Sequence, residues 1–183
     1  MKTLAVFGDS LTEGYGLKPS EALPAALERR LRAEGIEVKA LNFGISGETS
    51  EDGLHRMNEV LKAKPDAVIV AFGANDFYVG DEPDFVRENI ETLCNAFIRK
   101  GIPVLLGGIK AIPDVGAEYK AEFDKVFPEL AEKLGIPLFP NVLAPYFGNP
   151  MLTLMDGLHP NEQGVERMAE AMLPHVRTLL KKA

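Results

Sequence analysis

Two apolar runs without a polar interruption limit the folds open to this chain more than any other feature. Leu4-Ala5-Val6-Phe7 ends at Gly8, and Ala67-Val68-Ile69-Val70-Ala71-Phe72 ends at Gly73. Neither run alternates apolar with polar residues, so neither predicts a strand with one wet face. Both predict strands covered on two sides, as in the interior of a parallel sheet. Parallel strands need crossovers, and the intervening segments supply helices. Ser20–Glu34 carries Leu23, Leu27 and Leu31 at a spacing of four, with Pro24 in its first turn and Gly35 closing it. Ser50–Lys62 predicts a second helix, and Asp84–Lys100 a third with Phe85, Ile90, Leu93, Cys94 and Phe97 broadly on one side. Residues 118–134 predict a helix kinked or divided at Pro128, and 162–181 a last helix bent at Pro174. Between them, Glu37–Phe43, Ile102–Leu106 and the short Ile136–Phe139 predict three further strands.

This alternation with short connections predicts an α/β fold: a three-layer, doubly wound, flavodoxin-like five-stranded parallel sheet. No shift in composition marks a boundary, so residues 1–183 are expected to form one domain. No apolar stretch approaches the ~20 residues that span a bilayer, so no integral membrane segment is expected. Twenty Lys and Arg against 27 Asp and Glu leave a net charge of -7 with no basic cluster, which argues against nucleic acid as a partner. The one cysteine, Cys94, excludes an internal disulfide and any multi-cysteine metal site; inside a helical pattern it reads as a core thiol. Met1-Lys2 leads straight into the first strand, a start consistent with a cytoplasmic chain or with a mature exported form whose signal was replaced by a starting Met.

Ligands of an open parallel sheet collect at the carboxyl ends of its strands. Ser10 follows the first strand there, within Gly8-Asp9-Ser10-Leu11. A serine hydroxyl is a weak nucleophile until a histidine takes its proton. Of three histidines, His55 and His175 fall inside helical segments and read as surface or helix-face residues. His159 lies in the loop Met155-Asp156-Gly157-Leu158-His159-Pro160. Asp156 precedes it by three residues and Gly157 permits a tight turn, so the carboxylate can fold back onto one ring nitrogen and leave the other facing outward. The same stretch also reads as a plain turn ahead of a helix capped by Asn161. Acyl transfer further needs donors for the oxyanion of the tetrahedral intermediate. Gly44-Ile45-Ser46-Gly47 offers backbone N–H groups and Gly73-Ala74-Asn75-Asp76 the Asn75 amide, though each is also a common strand-end turn.

Taken in order and spacing, Gly8-Asp9-Ser10-Leu11, the loop ending in Ser46-Gly47, Gly73-Ala74-Asn75-Asp76 and Asp156-x-x-His159-Pro160 resemble the four blocks of the SGNH (GDSL-type) hydrolases. The likeness is to the small thioesterase I, lysophospholipase L1 and arylesterase group and covers the whole chain, including Gly47-Glu48-Thr49-Ser50 and Phe127-Pro128-Glu129-Leu130. It implies Ser10 as nucleophile, His159 as general base and then acid, and Asp156 as its orienting partner. It also implies an oxyanion hole made by the N–H groups of Ser10 and Gly47 and the Asn75 side chain, with Asp9 holding the loop. It is compatible with a periplasmic, exported mature form. The Gly-x-Ser-x-Gly elbow of α/β-hydrolases is absent, since Thr12 stands at the fifth position.

The expected activity is hydrolysis of small carboxylic esters and thioesters through an acyl-enzyme, with no metal or organic cofactor implied. Phe77 and Tyr78 after the third strand, and Ile112 and Pro113 after the fourth, are candidates to line an acyl groove or to pack beneath their loops. Lys110 reads as a solvated lysine or a guide for an anionic head group. A carbohydrate-ester deacetylase of the same superfamily is the alternative. A phosphate- or nucleotide-binding module is disfavoured, because neither GxxxxGK[ST] nor a GxGxxG after a strand occurs.

Overall fold

In the computed structural model, which describes residues 1–183, β1 (Lys2–Gly8), β2 (Val38–Gly44), β3 (Ala67–Ala71), β4 (Val104–Gly107) and β5 (Leu138–Phe139) form one parallel sheet. Their order is β2-β1-β3-β4-β5. Leu4–Phe7 and Ala67–Val70 are each 0% exposed, the burial on both faces that their unbroken apolar runs require. The chain moves from β1 outward to β2, then returns past β1 to β3, so a topological switch point lies between β1 and β3. The strand ends are level there, with Gly8 paired to Gly44 on one side and to Ala71 on the other.

On one face α2 (Leu23–Ala33) packs against α8 (Glu162–Lys181); on the other α3 (Ser50–Lys62) and α7 (Val126–Leu134) flank α5 (Pro83–Ile98). Leu27 and Leu31 of α2 and Met168, Met172 and Val176 of α8 are fully or almost fully buried. Burying one such side chain is worth about 1.5–3 kcal/mol, more than the ~0.7 kcal/mol that separates ordinary helix formers, so the apolar stripes rather than local propensity hold the helices. Caps set their starts. Thr49 and Asp52 form a reciprocal capping box at α3, and Asn161 accepts from Gly164 N at 2.9 Å at α8.

Several elements depart from the sequence-based expectation. The helix expected from Ser20 begins at Leu23, after a short 3-10 turn at Pro19–Glu21. The helix expected over 118–134 is two, α6 (Ala117–Phe123) and α7, divided at Asp124-Lys125 rather than at Pro128. Pro128 falls in the first turn of α7, where its missing N–H has no helical acceptor to lose. The stretch after β3, expected as a loop, is helical as α4 (Ala74–Val79), because it buries Asp76 and Phe77 beneath it. Pro174 lies inside α8, as expected, and the helix is continuous over Glu162–Lys181. No helix is long and apolar enough to cross a membrane.

Candidate active site

The first polar residues after β1 set the geometry. Asp9 accepts from Leu11 N at 3.1 Å and so caps α1 (Ser10–Glu13), a single turn closed by Gly14 in the left-handed region. Ser10 thereby stands at the helix start, over the switch point, with its hydroxyl partly open. Across the crevice, the loop before α8 turns back on itself through an antiparallel bridge between Thr153 and Pro160 and a bond from Leu154 N to His159 O at 2.8 Å. This brings His159 Nε2 to 3.1 Å from Ser10 Oγ, although 149 residues separate them in the chain.

Asp156 faces the other side of the ring. Its Oδ2 lies 2.5 Å from His159 Nδ1, and its Oδ1 accepts from Leu158 N at 2.9 Å and His159 N at 3.0 Å. Desolvation pushes this carboxyl up, but the bonds from the His159 ring, the His159 N–H and the Leu158 N–H outweigh it and hold the group at about 2. It is thus ionised at neutral pH. Tyr15 covers the ring, with centroids 4.4 Å apart and planes tilted by 35°.

The two glycine- and asparagine-bearing loops converge on the same place. The segment after β2 is tied to α1, since Glu13 accepts from Ser46 N at 2.8 Å and from the Ser46 hydroxyl. Gly47 follows at φ +85°, where a side chain is strained. The N–H groups of Ser10 and Gly47 have no acceptor within the chain. Asn75, in the first turn of α4, donates from Nδ2 to Glu48 O at 2.8 Å. Behind these loops is a buried polar layer. Asp76 accepts from Ser50 N at 2.9 Å and Ser50 Oγ at 2.5 Å, and Asn89 Nδ2 donates to Ser50 Oγ at 3.2 Å. Burial raises Asp76 above the ordinary carboxylate range and takes Asp9, which is 1% exposed, to about 7.

Ser10, Asn75 and His159 share a cavity of about 250 Å³ whose other walls are apolar: Leu11, Ala74, Phe77, Tyr78, Leu143, Tyr146, Phe147 and Leu158. Of the groove candidates read from sequence, Phe77 and Tyr78 line this cavity. Ile112 lines an adjoining groove that shares Phe77, Tyr78 and Leu158, and Ile112 and Pro113 border a further depression with Lys110 that shares Leu143 and Phe147. Lys110 is exposed. Leu143, Tyr146, Phe147 and Leu158 escaped the sequence reading because they lie in a Pro- and Gly-bearing stretch with no periodicity; the Tyr146-Phe147 pair was the available signal. His55 is exposed on α3. His175 faces inward instead, edge-on to Phe139 with centroids 5.3 Å apart and its Nδ1 unpartnered. Burial pushes the Cys94 thiol up to about 12, which suits a core residue and not a nucleophile. No three His, Cys, Asp or Glu side chains are grouped so as to hold a metal ion.

Residues 6–167 match the GDSL-like lipase/acylhydrolase family. The chain is 33% identical over 180 residues to the esterase TesA of Pseudomonas aeruginosa, covering 98% of this chain and 90% of that protein. It is 30% identical to thioesterase 1/protease 1/lysophospholipase L1 of Escherichia coli (strain K12), covering 97% and 85% of the two chains. The crystal structure of AlinE4, an SGNH-hydrolase family esterase, superposes with a TM-score of 0.82 at 39% identity, over 97% of this chain and 95% of that one. The chain therefore belongs to the GDSL-like lipase/acylhydrolase family and is a carboxylic-ester hydrolase.

Proposed function

We propose that the protein cleaves carboxylic esters and thioesters by double displacement through an acyl-enzyme on Ser10. The observation that carries this reading is the continuous chain of contacts from Ser10 Oγ through the His159 ring to Asp156, 3.1 Å and 2.5 Å long. As Ser10 attacks an acyl carbonyl, His159 Nε2 takes the hydroxyl proton and Asp156 stabilises the imidazolium. Negative charge develops on the carbonyl oxygen, for which the free N–H groups of Ser10 and Gly47 and the Asn75 amide are the available donors. His159 then returns the proton to the leaving alcohol or thiol, and water, activated by the same imidazole, releases the acid. The start of α1 adds a favourable end of a helix dipole, small for a single turn.

The apolar walls of the cavity support a hydrocarbon acyl chain, which they remove from water, over the acetyl group of an acetylated sugar, which leaves most of them uncovered. With the acyl chain in the cavity the leaving group lies outside it, so aryl esters and thioesters are accommodated alike, and a lysophospholipid as the longest member of the series. A fluorophosphonate probe, mapped by mass spectrometry, and a panel of p-nitrophenyl esters of rising chain length beside an acetylated sugar test both levels. A single adduct on Ser10 and a preference for longer acyl chains than acetyl are expected. Labelling elsewhere in a folded protein overturns the nucleophile assignment. Faster turnover of the acetylated sugar than of any aryl ester overturns the substrate class.

A further inference from the structure

Arg56 contacts no part of the cavity, yet its side chain touches the segments that carry two of the proposed oxyanion donors, Ser10 and Gly47, and reaches the third, Asn75, through Glu48. It projects from α3 and is 12% exposed. Its Nε lies 2.6 Å from Glu48 Oε2, while its Nη2 donates to Phe43 O at 2.8 Å and to Gly8 O at 3.0 Å. The guanidinium carbon sits 4.8 Å from the centroid of the Phe7 ring, so the plane is fixed from below as well. Gly8 O is two residues before Ser10. Phe43 O is at the end of β2, where the Gly47 loop departs. Glu48 follows Gly47, and its own carbonyl is the acceptor that holds the Asn75 amide at 2.8 Å. One planar fork therefore joins the end of β1 to both flanks of the Gly47 loop, and Glu48 carries the link on to Asn75.

The sheet does not need this brace, because β1 and β2 are already paired along their length up to Gly8 and Gly44. Beyond the ladder the Gly47 loop is also tied by Ile45 N to Gly8 O at 3.1 Å and by Ser46 to Glu13, but Arg56 with Glu48 is the contact that links the end of β1 and this loop to the Asn75 amide. We infer that Arg56, with Glu48, is a positioning residue that sets the spacing among Ser10 N–H, Gly47 N–H and Asn75 Nδ2. This inference rests on the oxyanion reading given above. A lysine cannot replace it, since an ammonium offers a point charge where three acceptors require a rigid fork.

The test is a cycle of Arg56→Met, Asn75→Ala and the double variant, with Arg56→Lys and Glu48→Gln beside them. Each is assayed for kcat and KM on one p-nitrophenyl ester and for completeness of fluorophosphonate labelling. Arg56→Met keeps the stem over Phe7 and is expected to lower kcat by about 10- to 100-fold with KM little changed, the scale of a small misplacement of donors, while labelling still goes to completion. Asn75→Ala is expected to lose about 100- to 1000-fold. The double variant should lose less than the product of the two, because part of the Arg56 effect passes through the Asn75 amide already removed. Arg56→Lys should recover thermal stability without recovering kcat, which a merely structural role would not produce. If Arg56→Met does not fold, Arg56→Lys and Glu48→Gln carry the test, and wild-type kcat in both overturns the inference. Multiplicative losses in the cycle, or a raised KM at constant kcat, also overturn it. Should Asn75→Ala stay within about threefold of wild type, the oxyanion reading itself fails and the role of Arg56 falls with it.

Discussion

The segment bearing Ser10 and the loop bearing His159 meet at one cavity but are held in different ways. Around Ser10 the backbone is packed. Asp9 is 1% and Thr12 1% exposed, and a methyl group on Gly8 would meet Thr12 Oγ1 at 2.5 Å and Ala71 O at 2.6 Å. Around His159 the chain is open, with Met155 and Asp156 exposed and Leu158 39% exposed. That loop is held by hydrogen bonds: Leu154 N to His159 O, the Asn161 side chain to Met151 O at 2.9 Å, and Tyr146 OH to Leu158 O at 2.8 Å. Steric exclusion places the nucleophile, whereas a few directional bonds place the base. Substitutions on the first side should therefore be read in stability, and those on the second in rate.

The largest expected effect ignores that division. Ser10→Ala and His159→Ala should each lower kcat by on the order of 10⁴-fold or more with the thermal midpoint unchanged. Retention of about a tenth of the rate in either would break the proposed link between the two segments.

Next in size is the pH response of the buried side. Burial lifts the Asp9 carboxyl from its ordinary pKa of 3.8 to about 7, so the folded protein keeps a proton that the unfolded chain gives up. Stability from this group is complete below about pH 4 and declines as pH climbs through about 7. At about 1.4 kcal/mol for each pKa step, the decline is at most about 4 kcal/mol. Urea denaturation between about pH 4 and 8 should show Asp9→Asn losing less stability with rising pH than the wild type. Identical slopes would remove Asp9 as the source. Asp156 acts on the other side of this window: its stabilisation is present above about pH 4 and lost as pH falls through about 2.

Gly8→Ala sharpens the packing half of the comparison. Overfilling this site should cost about 1–3 kcal/mol, measured by urea denaturation, since both neighbours in the clash belong to the fold's interior. The smallest effect belongs to the open side. Tyr146→Phe removes the bond to Leu158 O and should cost about 1 kcal/mol of stability, with kcat falling several-fold as His159 loosens. A larger loss of stability in Tyr146→Phe than in Gly8→Ala would invert the comparison.

Much of this was legible from residues alone. The unbroken runs at Leu4–Phe7 and Ala67–Val70 required strands buried on both faces, and the spacing of Leu27 and Leu31 required a helix docked on one side; these are local consequences of period and burial. The Asn161 cap set the start of α8 for the same reason. Pro128 misled because a proline breaks a helix interior but suits a first turn, and only the docking of α7 says which it occupies. Residues 74–79 misled because glycine and asparagine favour turns until a buried Phe77 and an Asp76 bonded to Ser50 draw the segment into a helix.

The chemistry divides along the same line. Residue order and type made Ser10, Asp156 and His159 candidates, and the resemblance gave them roles, because a hydroxyl, an imidazole and a carboxylate three residues from it are written in the chain itself. The walls of the cavity, the stacking of Tyr15 on His159 and the fork of Arg56 across Gly8, Phe43 and Glu48 are contacts between distant segments. No local periodicity encodes such contacts. They exist only once the sheet has ordered its strands as β2-β1-β3 and brought the ends of β1 and β2 within reach of one side chain.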